Sequence, residues 1–157
     1  MNRIVRTALL AGFSAAALAA GVVASGAEDM AKIIDYRQNI MKSNGAQAAD
    51  ILMIIKGDVP FGAKNVVAHA EVIHELSRLV LDAFPKGSGT AAGKTRAKDE
   101  IWSDWDGFKK DAMALETESA KLVEVAKGGD MKAIADQVAV MGKDACGACH
   151  KDFRAAQ

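Results

Sequence analysis

Both cysteines of the 157-residue chain, Cys146 and Cys149, stand three residues apart, and one of its three histidines, His150, follows at once. On a helix turning about 100° per residue, Cys149 lies about 60° round from Cys146 and His150 about 40° round on the other side. One helix face therefore carries all three. Two thiols placed so can add across the vinyl groups of a haem while the imidazole reaches its iron, and C-x-x-C-H is the attachment signature of c-type haem. Two other chemistries use such residues. A redox dithiol normally opens a helix after a strand, where the helix terminus lowers the thiol pKa; here the pair lies near the end of a helical stripe. Zinc needs four ligands, and no second Cys or His pair is offered. The expectation is one covalent haem c with its iron.

The elements that must position this group read as helices. From Met30 the apolar positions run Ile33, Ile34, Met41, Ala48, Ile51, Leu52 and Ile55, with the long stem of Arg37 among them, and stop at Lys56-Gly57-Asp58-Val59-Pro60. A second stripe, Val66, Val67, Ala70, Ile73, Leu76, Val80, Leu81 and Phe84, ends at Pro85. Lys86 to Gly93 is a loop rich in Gly and small residues. The third stripe carries Ile101, Trp102, Trp105, Phe108, Ala112, Leu115, Leu122, Val123 and Ala126, and ends at Gly128-Gly129. Asp130 is a ready N-cap for the fourth, with Met131, Ile134, Val138, Met141, Ala145 and Phe153. These are i, i+3, i+4 patterns closed by Gly and Pro. Four helices of about 20–28 residues with short connections predict an all-α, antiparallel up-down-up-down four-helix bundle, its haem attached to the C-terminal helix.

Residues 1–27 read as an address. Arg3 and Arg6 precede an uncharged, alanine-rich run that closes on Ala24-Ser25-Gly26-Ala27, as in a secretory signal. Its length invites comparison with a membrane anchor, yet it is only mildly lipophilic and no basic stop follows. The expectation is cleavage near Ala27, leaving a single domain over 28–157 in the periplasm, free of the membrane. The whole chain balances 20 basic against 20 acidic residues, so no basic field exists to hold nucleic acid or an anionic membrane. With 50% hydrophobic residues, disorder is excluded.

Only seven residues follow His150, and none is Met or His. The opposite face of the haem must therefore be covered from upstream. A C-terminal attachment motif on the last of four helices resembles the class II cytochromes c, which include cytochrome c prime and its low-spin, Met-ligated relatives. The resemblance spans essentially all of 28–157. It rests on Tyr36-Arg37-Gln38-Asn39-Ile40-Met41, Ala83-Phe84-Pro85, Glu100-Ile101-Trp102 and Cys146-Gly147-Ala148-Cys149-His150-Lys151-Asp152-Phe153-Arg154.

By that resemblance His150 is an axial ligand, and Met41 covers the opposite face of the iron, either bound as sixth ligand or unbound. Arg37 and Gln38 fall near a haem propionate, Thr95 at the haem edge, and Arg154 is the proximal arginine. A bound thioether makes a six-coordinate electron carrier serving a periplasmic redox partner protein. An unbound one leaves five-coordinate iron open to nitric oxide or carbon monoxide. Neither is an enzyme, and no hydrolytic triad, paired catalytic carboxylates or phosphate loop stands out. The resemblance also implies a homodimer through the first two helices.

The remaining candidates read as structural. His69 and His74 are about 140° apart on their helix and suit surface or interhelix contacts. Trp102 and Trp105 suit core or haem-edge packing, and Tyr36 an interhelix contact. The charges of Lys109-Lys110-Asp111 and Glu116–Glu118 read as a solvated face.

Overall fold

In the computed structural model residues 18–156 are described, with side chains from residue 29 onward. The expected leader therefore lies outside the described residues up to residue 17, and beyond that only its backbone is described.

Four helical rods follow one another. The first, α1 (Leu18–Lys56), stops where Gly57 takes the left-handed conformation (φ 76°). There the Gly57 and Asp58 N–H groups donate to the Ile54 and Met53 carbonyls at 3.1 and 3.0 Å. Such reverse bonds satisfy carbonyls that a helix end leaves unpaired. The second rod, α2 (Ala63–Ser77), runs through a turn into one 3-10 turn at Leu81–Ala83.

The third rod opens with the single turn α3 (Glu100–Ser103). It breaks at Asp104, whose carboxylate accepts from the Gly107 N–H at 3.1 Å and caps α4 (Trp105–Lys127). The last rod starts as α5 (Met131–Val140), capped as expected by Asp130, whose Oδ1 accepts from Lys132 and Ala133. It passes without a break into a π-helical stretch, Met141–Gly147, and ends as α6 (Ala148–Phe153).

The expected four-helix bundle is what forms. Among the described residues there is no strand, only an isolated antiparallel bridge between Ala97 and Arg154. None of the helices among the described residues is long and apolar enough to cross a membrane. Three details depart from the sequence expectation. α2 has 15 residues rather than 20 or more. The third rod is interrupted at Asp104. On α1 the buried apolar residues are Ile34, Ile40, Ile51 and Ile54, while Leu52 turns outward, 43% exposed.

The buried apolar residues form two clusters rather than the one contiguous core usual for a domain. One joins Ile51, Ile54, Val66, Ala70, Ile73, Leu122, Ile134 and Met141, with neighbours from all four rods. The other joins Ile40, Val80, Phe84, Ile101, Phe108 and Phe153. Phe108 is its hub, with ring centroids 4.8 Å from Phe84 and 5.4 Å from Phe153, both edge to face. Four rods thus meet at two levels. What separates the levels is the site.

Candidate functional site

A cavity of about 600 Å³ draws its walls from both clusters: Ile73 and Met141 from one, Phe84, Ile101, Phe108 and Phe153 from the other. That size is within the range of cofactor pockets. All eight site residues expected from the sequence line it: Arg37, Gln38, Met41, Thr95, Cys146, Cys149, His150 and Arg154.

One wall is a face of α1. Arg37, Met41, Asn44 and Ala48 all line the cavity, at the i, i+4, i+7, i+11 spacing of one helix side. Arg37 is 2% exposed. Its Nη1 donates to Ser88 Oγ at 2.7 Å, and Nη2 donates to the Ser88 carbonyl at 2.6 Å and to Thr95 Oγ1 at 2.8 Å. The guanidinium carbon lies 4.8 Å from the Phe84 ring centroid. Every one of these partners is neutral, and burial pulls the guanidinium below its usual pKa. A buried cation so surrounded is suited to an anionic group in the cavity, which would supply the missing counter-charge. Beside it, Gln38 Nε2 donates to the Lys94 carbonyl at 2.7 Å. Thr95 therefore touches the guanidinium directly, a tie that spacing alone does not reveal.

The opposite wall is the last rod. Cys146 lies in the last turn of the π-helical stretch and Cys149 and His150 in the first turn of α6, so the motif straddles two helical windings instead of sitting on one regular helix. The face it shares survives because all three residues are half-buried against the same cavity. π-Turns recur at functional sites because they re-aim side chains within a helix.

The end of this rod is held by residues 96–98. The Lys98 N–H donates to the Phe153 carbonyl at 3.1 Å, the Ala155 N–H to the Arg96 carbonyl at 2.8 Å, and Arg96 Nε to the Ala155 carbonyl at 2.8 Å. Arg154 leaves the helix in extended conformation and is largely exposed at the rim of the cavity it lines.

Electrostatics at this wall oppose a redox dithiol. Burial first, then Asp111 and Cys146, push the Cys149 thiol up to about 12, and burial raises Cys146 as well. Reactive dithiols need the reverse shift. Burial, then Arg154 and Arg96, lower the His150 pKa and favour the neutral imidazole that a metal needs. Among the described residues no three His, Cys, Asp or Glu converge on one metal position, which removes support for zinc.

Two wall residues, and one behind the wall, were not foreseen. Ser88 lies in the Gly-rich stretch expected to be a flexible loop, yet it is fully buried beneath Arg37. Asp111, expected on a solvated face, lines the cavity. Its position, three after Phe108 and four before Leu115, was the available signal. Asn44 lines the cavity too, with both amide atoms buried and without a hydrogen-bond partner.

The remaining sequence candidates fall away from the cavity. His69 Nδ1 pairs with Gln47 Oε1 at 2.7 Å, and His74 Nδ1 with the Glu116 carbonyl at 3.2 Å, both across helices. Trp102 Nε1 donates to the Phe84 and Pro85 carbonyls at 3.0 and 3.1 Å. Tyr36 is 50% exposed, on the outside of α1.

An apolar cavity between two helical walls, two thiols and a neutral imidazole on one side, and a counter-ion-poor guanidinium at the edge fit a covalently held haem. The family model described as Cytochrome C' matches residues 32–154. The chain belongs to the cytochrome c' family. It is a monohaem c-type cytochrome, carrying one covalent haem c with its iron.

A cytochrome c' of Pararhodospirillum photometricum is 33% identical over 121 residues, covering 77% of this chain and 94% of that protein. A cytochrome c-556 of Agrobacterium fabrum is 32% identical over 139 residues, covering 88% and 92%. Among solved structures, the nitric oxide complex of a cytochrome c prime variant from Alcaligenes xylosoxidans superposes with a TM-score of 0.72 at 28% identity, covering 80% of this chain and 95% of that one. Another variant of that protein was solved with carbon monoxide bound, at a TM-score of 0.71.

Proposed function

We propose that this cytochrome c' family member is an exported electron carrier, its leader removed near Ala27 and its domain, residues 28–157, working in the periplasm with a redox partner protein. Cys146 and Cys149 hold the haem as thioethers and His150 is the axial ligand. Met41 is the sixth ligand from the facing helix. Arg37, positioned by Ser88 and Thr95, pairs with a propionate beside Gln38, and Arg154 stands on the His150 side.

Haem c supplies a one-electron iron couple. The chain does the rest. The Phe108 cluster and the aliphatic residues of the walls exclude water, the Arg37 network fixes the edge, and the zipped end of α6 keeps the His150 helix from swinging. A carrier needs this rigidity, because its environment must serve both oxidation states. The observation that carries the reading is that Met41 on α1 and His150 on α6 line one apolar cavity from different rods. A Met/His pair raises the iron potential.

Absorption spectra of the purified holoprotein test it. Bound Met41 predicts low-spin bands and little response to carbon monoxide, and Met41→Ala predicts conversion to high-spin bands with ready carbon monoxide binding. High-spin bands in the natural protein would overturn the ligand role of Met41.

That outcome leads to the second reading, a five-coordinate binder of nitric oxide or carbon monoxide. It is favoured by the Alcaligenes variants solved with those gases. Leu52, Met53 and Val72 are each 40% or more exposed on α1 and α2. They support a homodimer through those helices, which sedimentation at micromolar concentration tests; a monomer there would dismiss it.

A further inference from the structure

Asn44 is polar where its neighbours on the wall are apolar. Its Nδ2 and Oδ1 are buried and bond to nothing in the chain, while Ala48 of the same helix face, Ile73 of α2 and Leu115 of α4 line the same cavity. Buried amides are nearly always paired, so an orphan asks for a partner that the protein itself does not provide. Backbone competition does not explain it, since Asn44 makes no bond to the helix behind it. Proximity to Arg37 does not explain it either. Asn44 stands seven residues further along α1, about 10 Å along the axis, away from the anionic end. It stands one turn beyond Met41, on the Met41 side of the cavity. The thioether is a weak acceptor, so it is a poor partner for an amide N–H.

We propose that Asn44 is a specificity-determining residue, its Nδ2–H donating a hydrogen bond to the outer atom of a small ligand seated on the Met41 side of the cavity. The pocket then favours a diatomic whose outer atom accepts a hydrogen bond over an apolar molecule of equal size. The inference rests on the assignment of this cavity to the haem, and it applies where Met41 is off the iron, so that a small ligand has a seat on that side.

The test uses holoprotein carrying Met41→Ala, with carbon monoxide as probe, compared with the same protein carrying Asn44→Leu or Asn44→Ala in addition. A donated hydrogen bond draws electron density toward the outer oxygen and lowers the C–O stretching frequency. Both second substitutions should therefore raise it in the same direction, and carbon monoxide should leave roughly two- to tenfold faster. Leu fills the space and Ala opens it. A frequency that stays unchanged, or that moves in opposite directions with side-chain volume, overturns the role of Asn44 while leaving the haem assignment intact. Failure of Met41→Ala holoprotein to bind carbon monoxide at all would remove the ligand seat on the Met41 side and overturn this inference, while the haem it carries leaves the cavity assignment standing.

Discussion

Arg37 on the first helix and Ser88 in the Gly-rich connection, 51 residues apart, form a two-point clamp: Nη1 to the hydroxyl at 2.7 Å and Nη2 to the carbonyl at 2.6 Å. Ser88 in turn donates to the Pro85 carbonyl at 2.8 Å. The clamp ties a glycine-rich connection to the helix that lines the cavity and fixes the direction of a buried cation.

Shortening that cation breaks the fork. Arg37→Lys should destabilise the holoprotein by about 2–3 kcal/mol, and Ser88→Ala by roughly 1–2 kcal/mol because the carbonyl contact remains. Urea melts measure both. Arg37→Gln should also lower the reduction potential, since a nearby cation favours the form holding the extra electron. An unchanged potential would place Arg37 away from the cofactor.

Single substitutions Cys146→Ser and Cys149→Ser should each leave one thioether and a haem that survives acid-acetone extraction. The double substitution should release it. Haem retained by the double variant after extraction would mean attachment elsewhere.

Asp111 lies above the ordinary aspartate pKa, first through burial, then through Asp152, against the opposing pull of Lys110. The folded chain thus holds this proton more tightly than the unfolded chain. Stability is therefore greatest below the unfolded value of about 3.9 and declines as pH rises through the raised folded value. Asp111→Asn should match the natural protein in acid and exceed it at neutral pH. Melting curves between pH 3 and 7 show whether the two profiles diverge in that direction; parallel profiles would contradict it.

Trp102→Phe removes an indole N–H shared between the Phe84 and Pro85 carbonyls. A loss of about 1 kcal/mol is expected in the same melts, with the haem spectrum unaltered.

The bundle was legible because the first three of four apolar stripes end at Gly or Pro, and the attachment motif because its residue types at that spacing do little else. The sides of the last rod were harder. Met141, Ala145, Cys149 and Phe153 recur every four residues, a longer step than a regular helix keeps on one face, and the π-helical stretch absorbs the difference. The burial of Ser88 depends on a partner 51 positions away, which no local pattern shows. Asp111 follows two lysines that mask its inward position. Asn44 breaks an otherwise apolar face, and polarity is what pattern reading assigns to the outside.

The widened stretch between Met141 and Gly147 makes the last rod intolerant of a change in length. Loss of one residue there would draw the following turn in and swing everything after it by more than a quarter revolution, about 100°. With the loss upstream of Cys146, both cysteines and the imidazole would keep their phase with one another but turn off the cavity together, while the upstream half of the rod kept its seat. Connections elsewhere can lengthen or shrink, but in this segment the number of residues is itself part of the site.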